Sequence, residues 1–381
     1  MIRFIIRRLL LSIPVLFGIV FIVFALARIV PGDPCVAALG ERANPEVCAV
    51  YAARRGLDKA IIPGLFRVES HIEVRLGEVP ATLVDNQFVR YLGEVATGDF
   101  GDSVKFGQPV TTLLLQRLPT TVELGLLALL LAILVGIPLG IISAYRRNSI
   151  VDVVTMMGAN IGVSTPVFVL GLLFAFTFAV VLKDTPFSLP PSGRLTAGTT
   201  VVPLAEAWGI QGLGGPPRVI VDFVSNMNTL NGLLTLNGQL LGDALRHLIL
   251  PAVALGTIPL AIIARMTRSA LLDELGLDYI RTARAKGLRD RHVVIRHGFR
   301  NALLPVVTVI GLQLGTLFGG AVLTETIFNL AGVGRAVTEA ILSSDYAVIQ
   351  GFTLVIAIGF VVINLIVDTS YAFLDPRVRL R

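Results

Sequence analysis

Residues 124–144 read LGLLALLLAILVGIPLGIISA, a run of 21 residues with no charge. Wound as an α-helix at 1.5 Å per residue, it is about 31 Å long, the thickness of a bilayer's hydrocarbon core. An isolated segment in lipid satisfies its own backbone only as a helix. Five more uncharged stretches of spanning size follow the same logic: Leu9–Ala27, Val153–Leu182, Leu248–Ala264, Asn301–Thr324 and Ala347–Val367. The composition agrees. Of 381 residues, 54% are hydrophobic and 15% charged, with a mean hydropathy of +0.79. A soluble domain carries about 25% charge. The sequence therefore predicts an all-α integral membrane protein with six transmembrane helices. Phe223–Gly242 is also uncharged, but its four Asn, two Thr, Ser, Gln and three Gly are costly to bury in lipid. It is read as part of an external loop.

Six spans put both termini on one side. The segments there carry 17 basic and 7 acidic residues outside the spans; those opposite carry 13 and 18. The positive-inside rule places the N- and C-termini in the cytoplasm. The net charge of +6 is then a topology signal and a lipid-headgroup signal, not a nucleic-acid one. Leu9–Ala27, preceded by Arg3, Arg7 and Arg8, has two readings, a signal peptide or a retained helix. Its length and the absence of a small-x-small site after it favour retention. Cys35 and Cys48 fall in the first external segment, where an oxidising exterior permits a disulfide; two free thiols are the alternative.

Along the chain, residues 1–30 hold the first helix and 31–119 an external region. Residues 120–381 form the core, with an external loop at 183–245 and a cytoplasmic loop at 265–300. The external region has two helical-looking stretches, Ala49–Lys59 and Phe88–Ala96. Glu123 and Arg246 lie at span edges, where long side chains snorkel. No carboxylate or histidine sits mid-span, which argues against an ion-coupled carrier. Four scattered histidines, His71, His247, His292 and His297, argue against a metal site. No His-Glu-x-x-His or Gly-x-Ser-x-Gly supports a membrane enzyme. Gly311, Gly315 and Gly319 share one face of the fifth span, suited to close helix packing.

The cytoplasmic loop carries Asp278-Tyr279-Ile280-Arg281-Thr282-Ala283-Arg284-Ala285-Lys286-Gly287. Asp278 suits an N-cap, Gly287 a C-terminal stop, and Lys286 the negative end of the helix dipole. A helix of about two turns results, with Ile280, Ala283 and Gly287 on one face. Two readings stand: a handle for a cytosolic partner, or a basic loop held by lipid headgroups.

This segment, followed by His297-Gly298-Phe299-Arg300-Asn301-Ala302-Leu303-Leu304-Pro305, resembles the coupling loop of ABC importer permeases, closest to the dipeptide/oligopeptide/nickel group. The general pattern Glu-Ala-Ala-x-x-x-Gly is replaced here by Arg281-Thr282-Ala283, and the interval from Gly287 to Pro305 is long; both departures are typical of the peptide branch. Other blocks match its B-type permease in order: Pro31-Gly32-Asp33-Pro34, Gly98-Asp99-Phe100-Gly101-x-Ser103, Arg117-Leu118-Pro119-x-Thr121, Pro191-Ser192-Gly193-Arg194, Arg265-Met266-Thr267-Arg268-Ser269, Thr324-Glu325-Thr326-Ile327-Phe328 and Asp375-Pro376-Arg377. The stretch from Ala60 to Asn86 is longer than the family's usual pattern.

The resemblance implies a type I ABC importer permease fold in the cytoplasmic membrane of a prokaryote. It implies half of a pore, completed by a homologous second permease. Two ATPase subunits holding ATP and Mg²⁺ would bind the coupling helices, and an external solute-binding protein would deliver peptide. Nickel chelates, glutathione and oligosaccharides are the other substrates of such importers. The chain has no Gly-x-x-x-x-Gly-Lys-Ser/Thr phosphate loop, so it is expected to be a transport subunit and not an ATPase, with no cofactor of its own. In the coupling loop the resemblance gives Asp278, Tyr279, Arg281, Thr282, Ala283, Arg284, Lys286 and Gly287 as contact residues. Ala283 and Gly287 would supply close docking, and Arg281, Arg284 and Lys286 polar contacts. It names no substrate-binding residue.

Overall fold

The structure, a computed structural model, describes residues 2–29, 35, 43–68, 71–74 and 79–374. The Pro31-Gly32-Asp33-Pro34 and Asp375-Pro376-Arg377 motifs lie outside them. The described chain is helical apart from one hairpin. First comes α1 (Ile2–Ile29), then α2 (Pro45–Arg55). The antiparallel strands β1 (Leu65–Val68) and β2 (His71–Val74) pair next, followed by α3 (Gln87–Thr97). After these run α4 (Val110–Tyr145), α5 (Ile150–Ser164) and α6 (Val167–Phe176), which continues as a π-helical turn, Thr177–Val181. Two short helices, α7 (Gly215–Ser225) and α8 (Asn228–Leu234), lead into α9 (Gly238–Leu275). The order ends with α10 (Asp278–Ala285), α11 (Arg300–Ile327), α12 (Val333–Leu342) and α13 (Tyr346–Leu374).

Segments of α1, α4, α9, α11 and α13 are long and apolar enough to cross a bilayer, and α5 with α6 makes the sixth span. That sixth span is not the single helix expected over Val153–Leu182. The chain turns by 101° between α5 and α6. Pro166 precedes α6 and has no N–H to return to the Gly162 carbonyl. Thr165 ends α5 instead, donating its N–H and its hydroxyl to the Ile161 carbonyl at 3.0 and 2.9 Å.

Phe223–Gly242, expected as loop, is largely helical: it contains the end of α7, all of α8 and the start of α9. Its helices before α9 are too short to cross a bilayer. Protein groups meet several of the amide donors and acceptors that made lipid burial costly. Asn231, fully buried, donates to the carbonyls of Val202 and Ser225 at 3.2 and 3.1 Å. Asn237 caps α9 by accepting the Leu240 N–H at 3.0 Å.

The chain forms two compact units, Met1–Arg8 with Arg117–Arg335 and Phe360–Arg381, and Leu9–Gln116 with Ala336–Gly359. In the first, α9 is the hub: 67% of its apolar window is buried, against 33% for α4 and for the fifth span. Leu124, Ala128 and Ala132 of α4 meet Leu255 and Ile263 of α9 and Val309, Leu317 and Ala321 of α11. Glycines let these backbones approach. A Cβ on Gly140 would stand 2.6 Å from the Ala264 carbonyl oxygen, and one on Gly256 would stand 2.9 Å from that of Ala128. Of the glycine face on α11, Gly311 abuts Val367 and Gly315 lies against Phe360 of α13, while Gly319 meets open space.

In the second unit, Phe24 of α1 packs on Phe88 and Tyr91 of α3, with ring centroids 5.1 and 5.5 Å apart. Gly98 closes α3 at a φ of +77°, where a side chain would be strained. The turn that follows uses the whole Gly98–Ser103 motif. Asp99 accepts the Gly101 N–H at 2.9 Å, and Ser103 donates to the buried Asp345 carboxylate at 2.6 Å. Cys35 is disulfide-bonded to Cys48 of α2, with Cα atoms 5.4 Å apart.

Replacing Gly140 by Val forces α4 and α9 apart. Overpacking of this kind costs about 1–3 kcal/mol. The purified variant is expected to show a lower thermal midpoint in detergent than the unmodified protein, with Gly319→Ala as a near-neutral control.

Candidate functional site

The cytoplasmic loop between α9 and α11 folds as α10 and then a π-helical turn, Val293–Phe299. Leu277, in extended conformation, is the N-cap, and no side chain caps the helix. Asp278 is therefore the first helical residue and not the cap expected of it; its charge still suits the positive end of the dipole. The C-terminus is closed as expected, by Gly287 at a φ of +76°. The Gly287 N–H returns to the Arg284 carbonyl at 2.9 Å and that of Leu288 to Ala283 at 3.4 Å, a Schellman pair.

The face of α10 that carries Ile280 and Ala283 points into the protein. Both are buried, packed with Val293 and Leu275. This corrects the expectation that Ala283 lies on the docking face. An amphipathic helix buries its apolar stripe in its own core, and the small residue here fits against the π-helical turn. The exposed face holds Leu277, Arg281, Thr282, Arg284, Lys286 and Leu288. Arg281 pairs with Asp278 and Arg284 with Asp290, each at 3.1 Å. Tyr279 sits at the helix root. Its hydroxyl donates to Glu274 and accepts from Asn301 Nδ2 at 2.9 Å. Burial, and then the bond to Glu274, push its pKa above the ordinary phenol value. Behind it, a Cβ on Gly298 would meet Leu271 at 3.0 Å and Leu275 at 3.2 Å, so the His297-Gly298-Phe299 motif is where the loop packs beneath α9.

The remaining motifs meet in pairs at the ends of the spans. On the cytoplasmic side Arg268 makes a two-pronged contact with Asp152, Nε and Nη2 each 2.7 Å from a carboxylate oxygen. Ser143 also donates to Asp152, as does the Asn148 N–H at 2.9 Å. One carboxylate thus fastens α4, α5 and α9. On the external side Glu123 is buried and does not snorkel as expected. It accepts from the N–H and hydroxyl of Thr229 at 2.6 and 2.7 Å and from Arg194 at 3.1 Å. Glu325, also buried, accepts from the Thr121 hydroxyl at 2.6 Å and the Arg335 N–H at 3.0 Å. Desolvation raises its pKa; the bonds to Thr121 and the backbone oppose that shift. A Cβ on Gly332 would strike its carboxylate. Asp152, Glu123 and Glu325 were not singled out as functional from sequence. The signal available was that each belongs to, or partners, a recognisable motif; the pairing itself spans up to 204 residues. Among the described residues no three His, Cys, Asp or Glu side chains gather into a metal site.

Comparison with known proteins gives a consistent picture. Residues 136–380 match the family described as binding-protein-dependent transport system inner membrane component. Residues 1–125 match the N-terminal family of such membrane components. The chain is 39% identical over 386 residues to the dipeptide transport system permease protein DppB of Escherichia coli K12, covering all of this chain and 99% of that one. It is 40% identical over 380 residues to the di/tripeptide transport system permease protein DppB of Pseudomonas aeruginosa, again with all of this chain and 99% of that one covered. The dipeptide permease protein of Alkalihalophilus pseudofirmus is 38% identical over the full length of both chains.

The Asp152–Arg268 pair is testable by a double-mutant cycle. Asp152→Ala leaves the guanidinium without its charge partner and is expected to cost about 1–3 kcal/mol. Arg268→Ala should cost a similar amount, and the double variant clearly less than the sum. Thermal unfolding in detergent measures all three; additive losses would show that the pair is not coupled.

Proposed function

The chain belongs to the family of binding-protein-dependent transport system inner membrane components, and from that premise we propose that it forms half of a pore importing peptides by alternating access. Similarity to dipeptide permeases over the whole length of both chains carries the substrate reading. A homologous second permease completes the pore in the cytoplasmic membrane of a prokaryote. Two ATPase subunits, with ATP and Mg²⁺, supply the energy, and an external binding protein delivers the peptide.

In this reading α10 is the handle on which one ATPase subunit pulls. Its docking face is the exposed one, with Arg281, Arg284 and Lys286 as polar contacts flanked by Leu277 and Leu288. The Schellman closure at Gly287 fixes where that face ends. Ile280 and Ala283 act behind it: they join α10 to Leu275 and so to α9, and a displacement of the handle reaches the spans through that packing. Binding of nucleotide brings the two ATPase subunits together, and the spans rock between inward- and outward-facing states, a two-state element biased by a ligand.

Co-purification from native membranes, with mass spectrometry of what accompanies the chain, tests the assembly. A second permease and two Walker-type ATPases are expected; the chain alone in a mild detergent would overturn the reading. Two variants separate the faces of α10. Arg281→Glu with Arg284→Glu should leave the amount of folded chain unchanged and lower peptide uptake about tenfold, a coupling loss of about 1.4 kcal/mol. Ala283→Asp should instead lower the amount of folded chain, because it buries a charge against Val293.

A further inference from the structure

The end of α5 before the break carries a cleft of about 290 Å³ lined by Met157, Asn160, Ile161, Ser164 and Thr165. Its polar wall is unusual for a spanning segment: Asn160, Ser164 and Thr165 gather at the end of α5. Asn160 lies ten residues into α5, about 15 Å along its axis. There its Oδ1 accepts a hydrogen bond from Nη2 of Arg265 at 2.8 Å. Arg265 is exposed, and among the described residues it pairs with no carboxylate. It stands at the inner end of the apolar stretch of α9, one turn before Arg268, which by contrast is committed to Asp152.

Two independent physical arguments make this a watered site. Arg265 stands at the inner edge of the span, where its charged end turns to a partner or to water because lipid is too costly for it. A helix broken at membrane depth leaves backbone carbonyls unreturned, here that of Gly162 opposite Pro166, and these too require protein or water. Both requirements fall beside the cleft: Asn160, one of its lining residues, holds Arg265, and Thr165, another, precedes Pro166. Asn160 occupies one of the five guanidinium N–H groups and orients the fork; the others remain for a ligand. A planar fork with free parallel donors recognises a carboxylate.

We propose that Arg265, oriented by Asn160 beside a cleft that Ser164 and Thr165 also line, is a way station on the translocation path that takes the terminal carboxylate of a passing peptide. The assignment rests on the peptide-import reading for its ligand. One exposed guanidinium on an open cleft holds an anion briefly, as a path requires: favourable enough to enter and weak enough to leave. The second permease supplies the facing wall.

The test uses Ser164→Cys in the assembled transporter in lipid vesicles. Cys35 and Cys48 are bonded to each other, so the new thiol is the reactive one. Its modification rates are compared for an anionic sulfonatoethyl and a cationic trimethylammonioethyl methanethiosulfonate, each normalised to a free thiol. The anionic reagent is expected to react at least threefold faster, and adding Arg265→Gln to erase the preference. With Ser164 left in place, Arg265→Gln should lower uptake of a dipeptide at least fivefold and Arg265→Lys should recover part of it. No modification of the introduced thiol would mean that lipid or the partner covers this face. Equal rates for the two reagents would mean that Arg265 does not govern the cleft. Unchanged uptake in Arg265→Gln would mean that no anion passes it. Any of the three overturns the inference. Peptide uptake by the unmodified transporter is measured in parallel. Its absence marks failure of the import reading, whereas failure of this inference shows as an unaltered labelling ratio in a transporter that does import.

Discussion

Three of the four buried carboxylates among the described residues, Glu123, Glu325 and Asp345, meet backbone N–H groups in the first turn of a helix, and the fourth, Asp152, meets one just before α5. Burying a carboxylate away from water is costly unless it is paired or well supplied with donors. The first turn of a helix has the opposite need, with N–H groups that have no partner in the helix. The two deficits cancel, and the helix dipole adds to the attraction. Glu123 serves the start of α8, Glu325 the start of α12, Asp345 the start of α13, and Asp152 sits in the first turn of α5. The carboxylate of Glu123 comes from a span 106 residues away in sequence, and that of Glu325 from the end of the span just before α12. Each such contact therefore ties a short helix outside the membrane to a long one within it. The motif blocks are these ties, and their small residues have the same cause: Gly332 is where a side chain would collide with Glu325.

The same constraint explains what the sequence discloses. Lipid permits only a long run of uncharged residues to cross, so spans are visible from composition alone, and their sidedness from arginine and lysine. Within a span the constraint is satisfied in more than one way, and there the reading loses resolution. Pro166 marks a 101° break, yet Pro119, Pro138, Pro251, Pro259 and Pro305 sit inside unbroken helices. A proline removes one donor in every case. What separates Pro166 is that Thr165 before it has left the helix for extended backbone, at a φ of −88° and a ψ of 124°, the conformation that a residue before proline favours. Glu123 resembles a snorkelling edge residue because Arg194 and Thr229, which claim it, lie 71 and 106 residues away. The buried amides of α8 are hidden for the same reason: their acceptors come from other segments.

In the cytoplasmic loop the segment was legible and its orientation was not. Gly287 fixes the end of α10 because only glycine takes a positive φ there without strain. Which side of the helix faces outward depends on what folds beneath it, and that is the π-helical turn with Val293. Ile280 and Ala283 at i and i+3 form an apolar stripe equally suited to a partner or to the chain's own core. Val293 and Leu275 decide for the core.

That burial makes α10 an effective lever. A handle held only by its two loop ends would absorb a pull by bending the loops. Here three contacts stiffen the joint: Ile280 and Ala283 against Leu275, Tyr279 between Glu274 and Asn301, and Gly298 beneath Leu271 and Leu275. All three reach the last turns of α9, the most buried of the spans, and Tyr279 reaches the start of α11 as well. A few residues farther along α9, Arg268 grips Asp152 and brings α4 and α5 into the same body. Force applied to α10 is thus delivered to a packed set of helices and not to one of them. Close-packed groups of this kind move between discrete arrangements and deform little. The break at Thr165-Pro166 lies outside this fastened end. The half of α5 that carries Asp152 is fastened to α4 and α9, and the cleft lies along the other half.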